Sequence, residues 1–349
     1  MFGMLARQQS RTLVIDDGVP LPVSPRETIL NSALRADFDF PYSCKVGGCG
    51  ACKCRLVSGK VRELTDKSYL LSKEEIRQGY ILGCQSMPLT DVVVRLPADP
   101  LARQRVSGRI LGQVPLTHDI FEVFVRLDRP LRYLPGQHAS VEAEGTGIPA
   151  RCYSFAHDCA ADGQDEVSFF VRAVPQGRMS HWLIDPASCG QPVRLRASLG
   201  EFHLRESPRD LLCVAGGSGL APLIALLEAA ARGDAARRNV VLLMGARRQR
   251  DLYYLEQIEA LRRQWRGRFE FVPILSEEPA GSGWSGMRGL VTEGVTAANA
   301  REAEGYLCGP PPMIDAVIAR MSAFGADPGR IYFDKFADQT AAARAMPGR

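Results

Sequence analysis

Three cysteines in one short stretch, Cys44, Cys49 and Cys52, are spaced C-x4-C-x2-C, and a fourth, Cys84, lies well downstream. Thiolates are soft ligands for iron, and this spacing with a distant fourth cysteine is one that holds a 2Fe–2S cluster. Gly47, Gly48 and Gly50 suit the same task. A loop that turns N–H donors toward cluster sulfur must wrap tightly and adopt positive φ, which glycine permits without a Cβ clash. A structural zinc site or unconnected buried thiols compete with this reading. Zinc ligands, however, usually come as two short cysteine pairs or a Cys/His mixture. Cys54, two residues past Cys52, is expected to turn into a core and not to be a ligand, because four thiolates complete the site.

An electron carrier needs a source and a sink, and two further groups of residues have chemistry that fits. In Arg151-Cys152-Tyr153-Ser154, one strand offers a cation for phosphate, an aromatic wall and a hydroxyl, the set a flavin needs around its diphosphate, ring and N5. Gly177-Arg178-Met179-Ser180 runs into His181-Trp182-Leu183 and reads as a loop opening a helix, where free N–H groups attract an anion. A surface arginine with a buried tyrosine, and a capped helix with no ligand, are the plain alternatives. His181 and Cys152 are read as packing residues. Further on, the apolar run Leu211–Ala215 leads into Gly216-Gly217-Ser218-Gly219 and a helix from Leu223. Strand, glycine loop and helix in that order present main-chain N–H groups to a dinucleotide. Tyr306-Leu307-Cys308 leads likewise into Gly309-Pro310-Pro311-Pro312-Met313, with proline tolerated in a first helical turn.

The elements that must position these groups suggest three domains: an α+β domain over 10–98, a β domain over 104–205 and an α/β domain over 208–336. In the first, short strands at Thr12–Asp16, Val19–Val23 and Asp91–Leu96 surround a helix over Glu27–Ala36. A hairpin is expected between Arg55–Val57 and Lys60–Val61 around Ser58-Gly59, and Ser72 with Glu75 reads as a capping box. This mixture predicts a β-grasp fold. A connector at Pro97–Pro100 marks the boundary. The second domain has strands at Val106–Leu111, Ile120–Leu127, His138–Glu142, Glu166–Ala173 and Pro192–Arg196, spaced as in a small antiparallel barrel. The third alternates strands (Leu211–Ala215, Val240–Met244, Phe269–Leu275, Tyr306–Cys308) with helices (Leu223–Ala231, Leu255–Arg262, Ile314–Ala323), the pattern of a doubly wound parallel sheet.

Composition agrees with this plan and excludes other classes. The 349 residues are 46% hydrophobic and 23% charged, with a net charge of only +4, and no basic stripe interleaved with aromatics calls for nucleic acid. Met1–Arg11 shows no apolar core or cleavage site of a signal peptide. The ten cysteines are therefore expected to be reduced thiols in a cytoplasmic protein. Leu211–Leu227 is uncharged but is broken by glycines and Pro222, which argues against a membrane span. Met-Phe-Gly-Met-Leu at the start is too short for an anchor, so contact with a membrane is expected only through a partner.

Taken in order, the cysteine loop, the Arg-x-Tyr-Ser strand, the Gly-Gly-Ser-Gly crossing and Cys308-Gly-Pro-Pro-Pro-Met313 resemble the reductase components of bacterial multicomponent oxygenases. These lie within the ferredoxin–NADP reductase superfamily, and the resemblance spans nearly the whole chain. Asp251-Leu252-Tyr253, Leu275-Ser276-Glu277-Glu278 and Gly305–Met313 are most similar to the xylene monooxygenase reductase group, which serves membrane hydroxylases of alkyl side chains.

The resemblance implies an N-terminal plant-type ferredoxin on Cys44, Cys49, Cys52 and Cys84, a flavin barrel and an NAD domain. It places Arg151, Tyr153, Ser154, Val171 and Gly177, Arg178, Met179 and Ser180 against FAD. Gly217, Ser218, Gly219, Cys308 and Gly309 fall against NADH, with Phe336 near the flavin. Ser154 and Cys308 become the residues at the hydride-transfer site. Electrons would pass from NADH through FAD and the 2Fe–2S cluster to a terminal oxygenase, with a membrane di-iron hydroxylase of hydrocarbon alkyl groups as the implied partner. A reductase of a Rieske ring dioxygenase or of deoxysugar dehydration, and a redox-sensing module without turnover, stay open. Ser218 stands where many members have Thr, and Ser198 where relatives often have Pro. Arg247, Arg248 and Arg250, after the second strand of the last domain, leave NADH and NADPH both in play.

Overall fold

The computed structural model describes residues 11–42, 44–68, 70–97 and 104–336. Met1–Leu5, Ser43 of the cysteine loop, the Ala98–Pro100 part of the connector and the tail past Phe336 lie outside the described residues. The chain falls into two compact units, 1–99 and 100–349.

The first unit is a mixed sheet crossed by a helix. Strands β1 (Arg11–Ile15) and β2 (Leu21–Val23) precede helix α1 (Ile29–Arg35). Thr28 caps α1 by accepting from the Asn31 N–H. The helix buries Ile29, Leu30 and Ala33 as its spacing requires, and Ser32 joins them in place of Leu34. The Ser32 hydroxyl meets Glu27 Oε2 at 3.0 Å and the Thr28 carbonyl at 3.1 Å, so its burial leaves no unpaired group. After the cysteine loop come β3 (Lys53–Ser58), β4 (Val61–Glu63), α2 (Lys73–Arg77), β5 (Tyr80–Leu82), β6 (Ser86–Pro88) and β7 (Val92–Arg95). The Ser72/Glu75 capping box is present. The sheet order is β2-β1-β7-β3-β5, with β1 and β7 parallel. The expected hairpin does not form. β3 pairs with β5 and β7, whereas β4 leaves to pair with β6. Gly59 makes the parting turn at φ 92, where a Cβ would stand 2.2 Å from the Asp91 carbonyl oxygen.

The second unit opens with an antiparallel sheet. Its strands are β8 (Gln104–Pro115), β9 (Ile120–Leu131), β10 (His138–Ala143), β11 (Arg151–Ser154), β12 (Gln164–Arg172) and, after helix α3 (Arg178–Ile184), β13 (Pro192–Leu199). The order β11-β10-β13-β8-β9-β12 leaves β11 and β12 at its two ends. A bridge between Phe155 and Phe169 joins those ends and closes the barrel. Alternate residues point inward: Val123, Val125, Val141, Val167, Phe169, Val193 and Leu195 form its core.

A parallel sheet follows. It comprises β14 (Leu211–Gly216), α4 (Leu220–Arg232), β15 (Val240–Ala246), α5 (Leu255–Gln264), β16 (Phe269–Leu275), β17 (Met287–Arg288), α6 (Ala297–Ala300), β18 (Glu304–Gly309), α7 (Pro311–Ala323) and β19 (Ile331–Lys335). All five pairings are parallel, in the order β17-β16-β15-β14-β18-β19. Full burial of β14 accounts for its unbroken apolar sequence, and in the equally buried β18 the charged Glu304 is paired with Arg238 at 2.7 Å. Strand order reverses between β14 and β18, and the crevice beyond the carboxyl ends of such strands is where open α/β sheets bind ligands. The uncharged run Leu211–Leu227 is thus strand, loop and helix. Among the described residues no helix is long and apolar enough to cross a membrane.

Candidate functional site

The cysteine loop is built so that main-chain donors converge on sulfur. Val46 and Gly48 N–H groups point at Cys44 Sγ at 3.4 and 3.2 Å, and the Cys84 N–H points at Cys52 Sγ at 3.5 Å. Gln85 Nε2 adds a side-chain donor to Cys84 Sγ at 3.7 Å. The thiols pair two and two. A hydrogen bond from Cys49, opposed by burial and helped by neighbouring N–H groups, brings Cys44 down to about 6. Cys52 is pushed up by its bond with Cys84 and by burial. Two pairs supply two ligands to each iron of a binuclear cluster, and the donor set therefore fits a 2Fe–2S group. All four cysteines are free of disulfides. Cys54 is wholly enclosed in the core, and burial pushes its thiol up, away from the ligand form.

On the barrel, Arg151, Tyr153 and Ser154 lie on edge strand β11. The Arg151 guanidinium meets only the carbonyls of Pro149 and Ala150 among the described residues. Tyr153 is half-buried against Phe169. Ser154 faces His138 in register across to β10. His138 is almost fully buried, burial lowers its pKa to about 4, and its Nε2 has no hydrogen-bond partner among the described residues. A guanidinium with no carboxylate partner among the described residues, an aromatic ring and a hydroxyl on one strand are the set that fits a flavin.

At the second barrel motif Ser180 Oγ accepts from the Val174 N–H at 3.2 Å and donates to the Gly177 carbonyl at 3.0 Å, so it closes the loop that enters α3. That hydroxyl is used within the protein, and what the loop offers an anion is main-chain N–H and Arg178. Val171 and Met179 are built into the barrel core, so their side chains face away from any ligand and only their main chain could serve one. His181, expected to pack, is exposed and reaches the Val174 carbonyl at 3.0 Å. Cys152 is half-buried.

The two glycine crossings of the nucleotide sheet press on each other. Ala215 on β14 pairs with Cys308 on β18. A Cβ on Gly219 would stand 2.3 Å from the Cys308 carbonyl oxygen, and one on Gly216 would meet Met313 Sδ at 2.5 Å. Gly217 has φ 56, and a Cβ there would have only Arg172 Nη1 within reach, at 3.5 Å. Helix α4 begins directly after Gly219 with no side-chain cap. Its free N–H groups beside an open space fit a dinucleotide diphosphate. Cys308 is fully enclosed, and burial, with Asp334 nearby, pushes its thiol up. Its strand partner is Asp334, whose Oδ2 lies 3.9 Å from His138 Nδ1. Ser154, His138, Asp334 and Cys308 therefore form one continuous line from barrel to nucleotide sheet. Phe336 is tied to it by its N–H to the Gly309 carbonyl, 2.9 Å.

Residues 14–89 match the family of 2Fe-2S iron-sulfur cluster binding domains, 109–204 that of oxidoreductase FAD-binding domains, and 213–318 that of oxidoreductase NAD-binding domains. The chain is 42% identical over 333 residues to the xylene/toluene monooxygenase electron transfer component of Pseudomonas putida, covering 94% of each. It is 33% identical over 335 residues to the toluate 1,2-dioxygenase electron transfer component of the same species, covering 92% of this chain and 96% of that one. The chain belongs to the family of oxygenase electron-transfer reductases. The reductase of the Amycolatopsis cytochrome P450 system shares its fold at TM-score 0.69 and 31% identity, over 94% of this chain and 99% of that one. The ferredoxin reductase of carbazole 1,9a-dioxygenase does so at TM-score 0.67 and 31% identity, with the same coverage.

This reductase thus has domains for a 2Fe–2S cluster, FAD and NAD, and is an oxidoreductase. Its sequence did not single out His138, Asp334 or His157. His138 has one sequence signal, a histidine inside an apolar strand pattern, where burial must be explained. Ser198 sits at φ 62 and bonds the Arg132 carbonyl at 2.6 Å. A proline ring fixes φ near −65°, so proline could not take the conformation Ser198 has here.

Proposed function

We propose that this reductase carries electrons from NADH through FAD and the 2Fe–2S cluster to a terminal oxygenase, specifically a membrane di-iron hydroxylase of hydrocarbon alkyl groups. The observation that carries this reading is end-to-end similarity to an electron transfer component named for xylene/toluene monooxygenase, higher than to the toluate dioxygenase component. When bound, these groups would supply the conversion of a two-electron hydride donor into single-electron delivery.

The protein's own residues supply binding and orientation. The ferredoxin domain is assigned to 10–98, the flavin barrel to 104–205 and the NAD domain to 208–336. Cys44, Cys49, Cys52 and Cys84 hold iron. Arg151, Arg178 and the N–H groups of Met179 and Ser180, at the turn made by Gly177, take the FAD diphosphate, with Tyr153 on the flavin ring and the Val171 main chain beside it. The Ser154 hydroxyl, with no hydrogen bond of its own among the described residues, would be free to serve the flavin near its N5. Gly217, Ser218 and Gly219 take the NADH diphosphate. The main chain of Cys308 and Gly309 would wall the nicotinamide pocket, and Phe336 would cover the flavin.

Reconstitution with purified candidate oxygenases tests the proposal. The expected result is NADH-driven hydroxylation with a membrane alkyl hydroxylase. Turnover with a Rieske dioxygenase alone would reject the partner assignment while leaving the electron chain intact. Rapid mixing with NADH should bleach flavin absorbance before cluster absorbance. Lys45, whose ammonium lies over the Tyr42 ring, and exposed Val46 flank the cysteines and are assigned to oxygenase docking. Lys45→Glu should slow oxygenase reduction and spare cytochrome c reduction; equal loss of both would sink that assignment.

A further inference from the structure

The barrel and the nucleotide sheet meet at a polar cluster that no step above uses. His157 lies three residues past Ser154, on the chain leaving β11. Its Nδ1 is 3.0 Å from Glu228 Oε1, and its Nε2 is 2.9 Å from Glu122 Oε1. Glu122 belongs to barrel strand β9 and Glu228 to helix α4, so the ring bridges the two parts. Carboxylates only accept, so an imidazole placed between two of them must carry a proton on each nitrogen, and it does so as the cation. The remaining groups are consistent with a closed network. Ser168 on β12 donates to Glu122 Oε1 at 2.7 Å, and the Asp158 N–H donates to Glu228 Oε2 at 3.1 Å. Asp158 pairs with Arg232 on α4, and the Tyr133 hydroxyl bonds the His157 carbonyl at 3.1 Å.

Tyr254 connects this cluster to the nucleotide site. Its hydroxyl sits 3.1 Å from His157 Nε2 and 3.5 Å from Glu122 Oε2. It occupies the left-handed region at φ 63 directly before α5, an unusual place for a bulky residue that surrounding contacts must hold. Its neighbour Tyr253 donates to the Gly217 carbonyl at 3.0 Å. Two adjacent tyrosines therefore reach in two directions, one to the His157 bridge and one to the loop assigned to the NADH diphosphate. Glu228 adds a second connection, since α4 is the helix that this loop opens.

We propose that His157 is a positioning residue for nucleotide binding: as a cation between Glu122 and Glu228 it locks α4 and the Tyr253-Tyr254 pair, and through them the Gly217 loop, against the flavin barrel. The proposal rests on the reading that this loop receives NADH. Burial alone would lower the His157 pKa, but the hydrogen bonds its ring donates to Glu122 and Glu228 outweigh it and raise it from 6.5 to about 9. The lock is therefore complete below pH 6.5, holds at neutral pH, and is lost as pH rises through about 9. A neutral ring can donate to only one of the two carboxylates. Ile120, Ala156 and Phe202 from the barrel side also pack into the apolar core of the nucleotide sheet, so loss of the lock loosens the loop without parting the two.

The test uses the full-length holoprotein and calorimetric binding of NAD⁺ between pH 7 and 10, alongside kcat and KM for NADH with ferricyanide. The wild type should lose affinity for NAD⁺ across pH 8–10, and His157→Gln should bind roughly five- to tenfold more weakly at pH 7 and lose that pH dependence. KM for NADH should follow, with kcat within about twofold, because the lock acts on binding. Glu228→Gln should behave like His157→Gln, and the double variant should be no weaker than either single one. If His157→Gln does not fold, the wild-type pH titration and Glu228→Gln give the same reading. NAD⁺ affinity flat from pH 8 to 10, or wild-type affinity in His157→Gln or Glu228→Gln, overturns the proposal. A wild type that binds neither NAD⁺ nor NADH would instead overturn the assignment of the nucleotide site.

Discussion

The cysteine loop and the nucleotide crossings both depend on glycine, but the two use it differently. In the cysteine loop Gly47 and Gly50 stand at φ 75 and 73, so there the residue supplies a backbone conformation. At the crossings Gly217 is left-handed too, at φ 56, but Gly216 and Gly219 have φ −132 and −64, values open to any residue. What they supply is room, because the next strand-to-helix turn lies where a side chain would be. A conformational glycine can be approximated by asparagine, which visits the left-handed region at modest cost. A close-approach glycine has no substitute.

The largest test of this contrast removes a ligand. Cys49→Ser should abolish the cluster's visible absorbance and electron delivery to cytochrome c, while NADH–ferricyanide turnover through the flavin persists. Loss of both activities together would mean that the loop also supports the second unit. Next, Gly219→Ala drives a methyl group into the Cys308 carbonyl. Overpacking against main chain should cost about 1–3 kcal/mol, read as a lower unfolding temperature, with weaker NADH binding and an intact cluster spectrum. In the loop, Gly47→Asn and Gly47→Val separate conformation from space. A Cβ at Gly47 meets the flexible Gln85 side chain, so Asn should cost about 1 kcal/mol and Val distinctly more, measured by the temperature at which the cluster bleaches. Equal losses would show that space matters there too.

The smallest effect is a pH dependence of the first unit. Hydrogen bonding from Arg35 holds the Glu27 carboxyl down, against burial, from 4.5 to about 2. A depressed carboxyl contributes stability that is present above pH 4.5 and is lost as pH falls toward 2. Arg35 is largely solvated, which limits the gain to less than about 1 kcal/mol. Glu27→Gln should flatten the acid limb of unfolding over that window and leave the second unit's transition unchanged.

The same contrast explains what the sequence disclosed. Cysteine ligands announce themselves because their chemistry sits in side chains at fixed local spacing. The crossings were legible from strand, glycine and helix in order, and α4 starts a turn earlier than expected because Pro222 is harmless in a first turn. Pairing was harder to read. Ser58-Gly59 looks like a hairpin turn, yet β4 goes to β6, a choice made by contacts with residues near 90 and not by the turn itself. The His157 bridge was invisible for the same reason: its members lie 35, 71 and 97 positions away along the chain and share no motif. Histidine type alone pointed the wrong way, marking surface His181 as packed and passing over buried His138.

The barrel closes at one point, the Phe155–Phe169 bridge. Among the described residues, the outer edge of Arg151–Ser154 carries no ladder of its own. An open strand edge is a template for another chain unless something covers it. On the proposed reading that cover is the flavin, so stripping it would leave a seam suited to edge-to-edge pairing. Flavin-depleted protein should then self-associate in proportion to its concentration, and flavin retention during purification becomes a matter of colloidal stability as much as of activity.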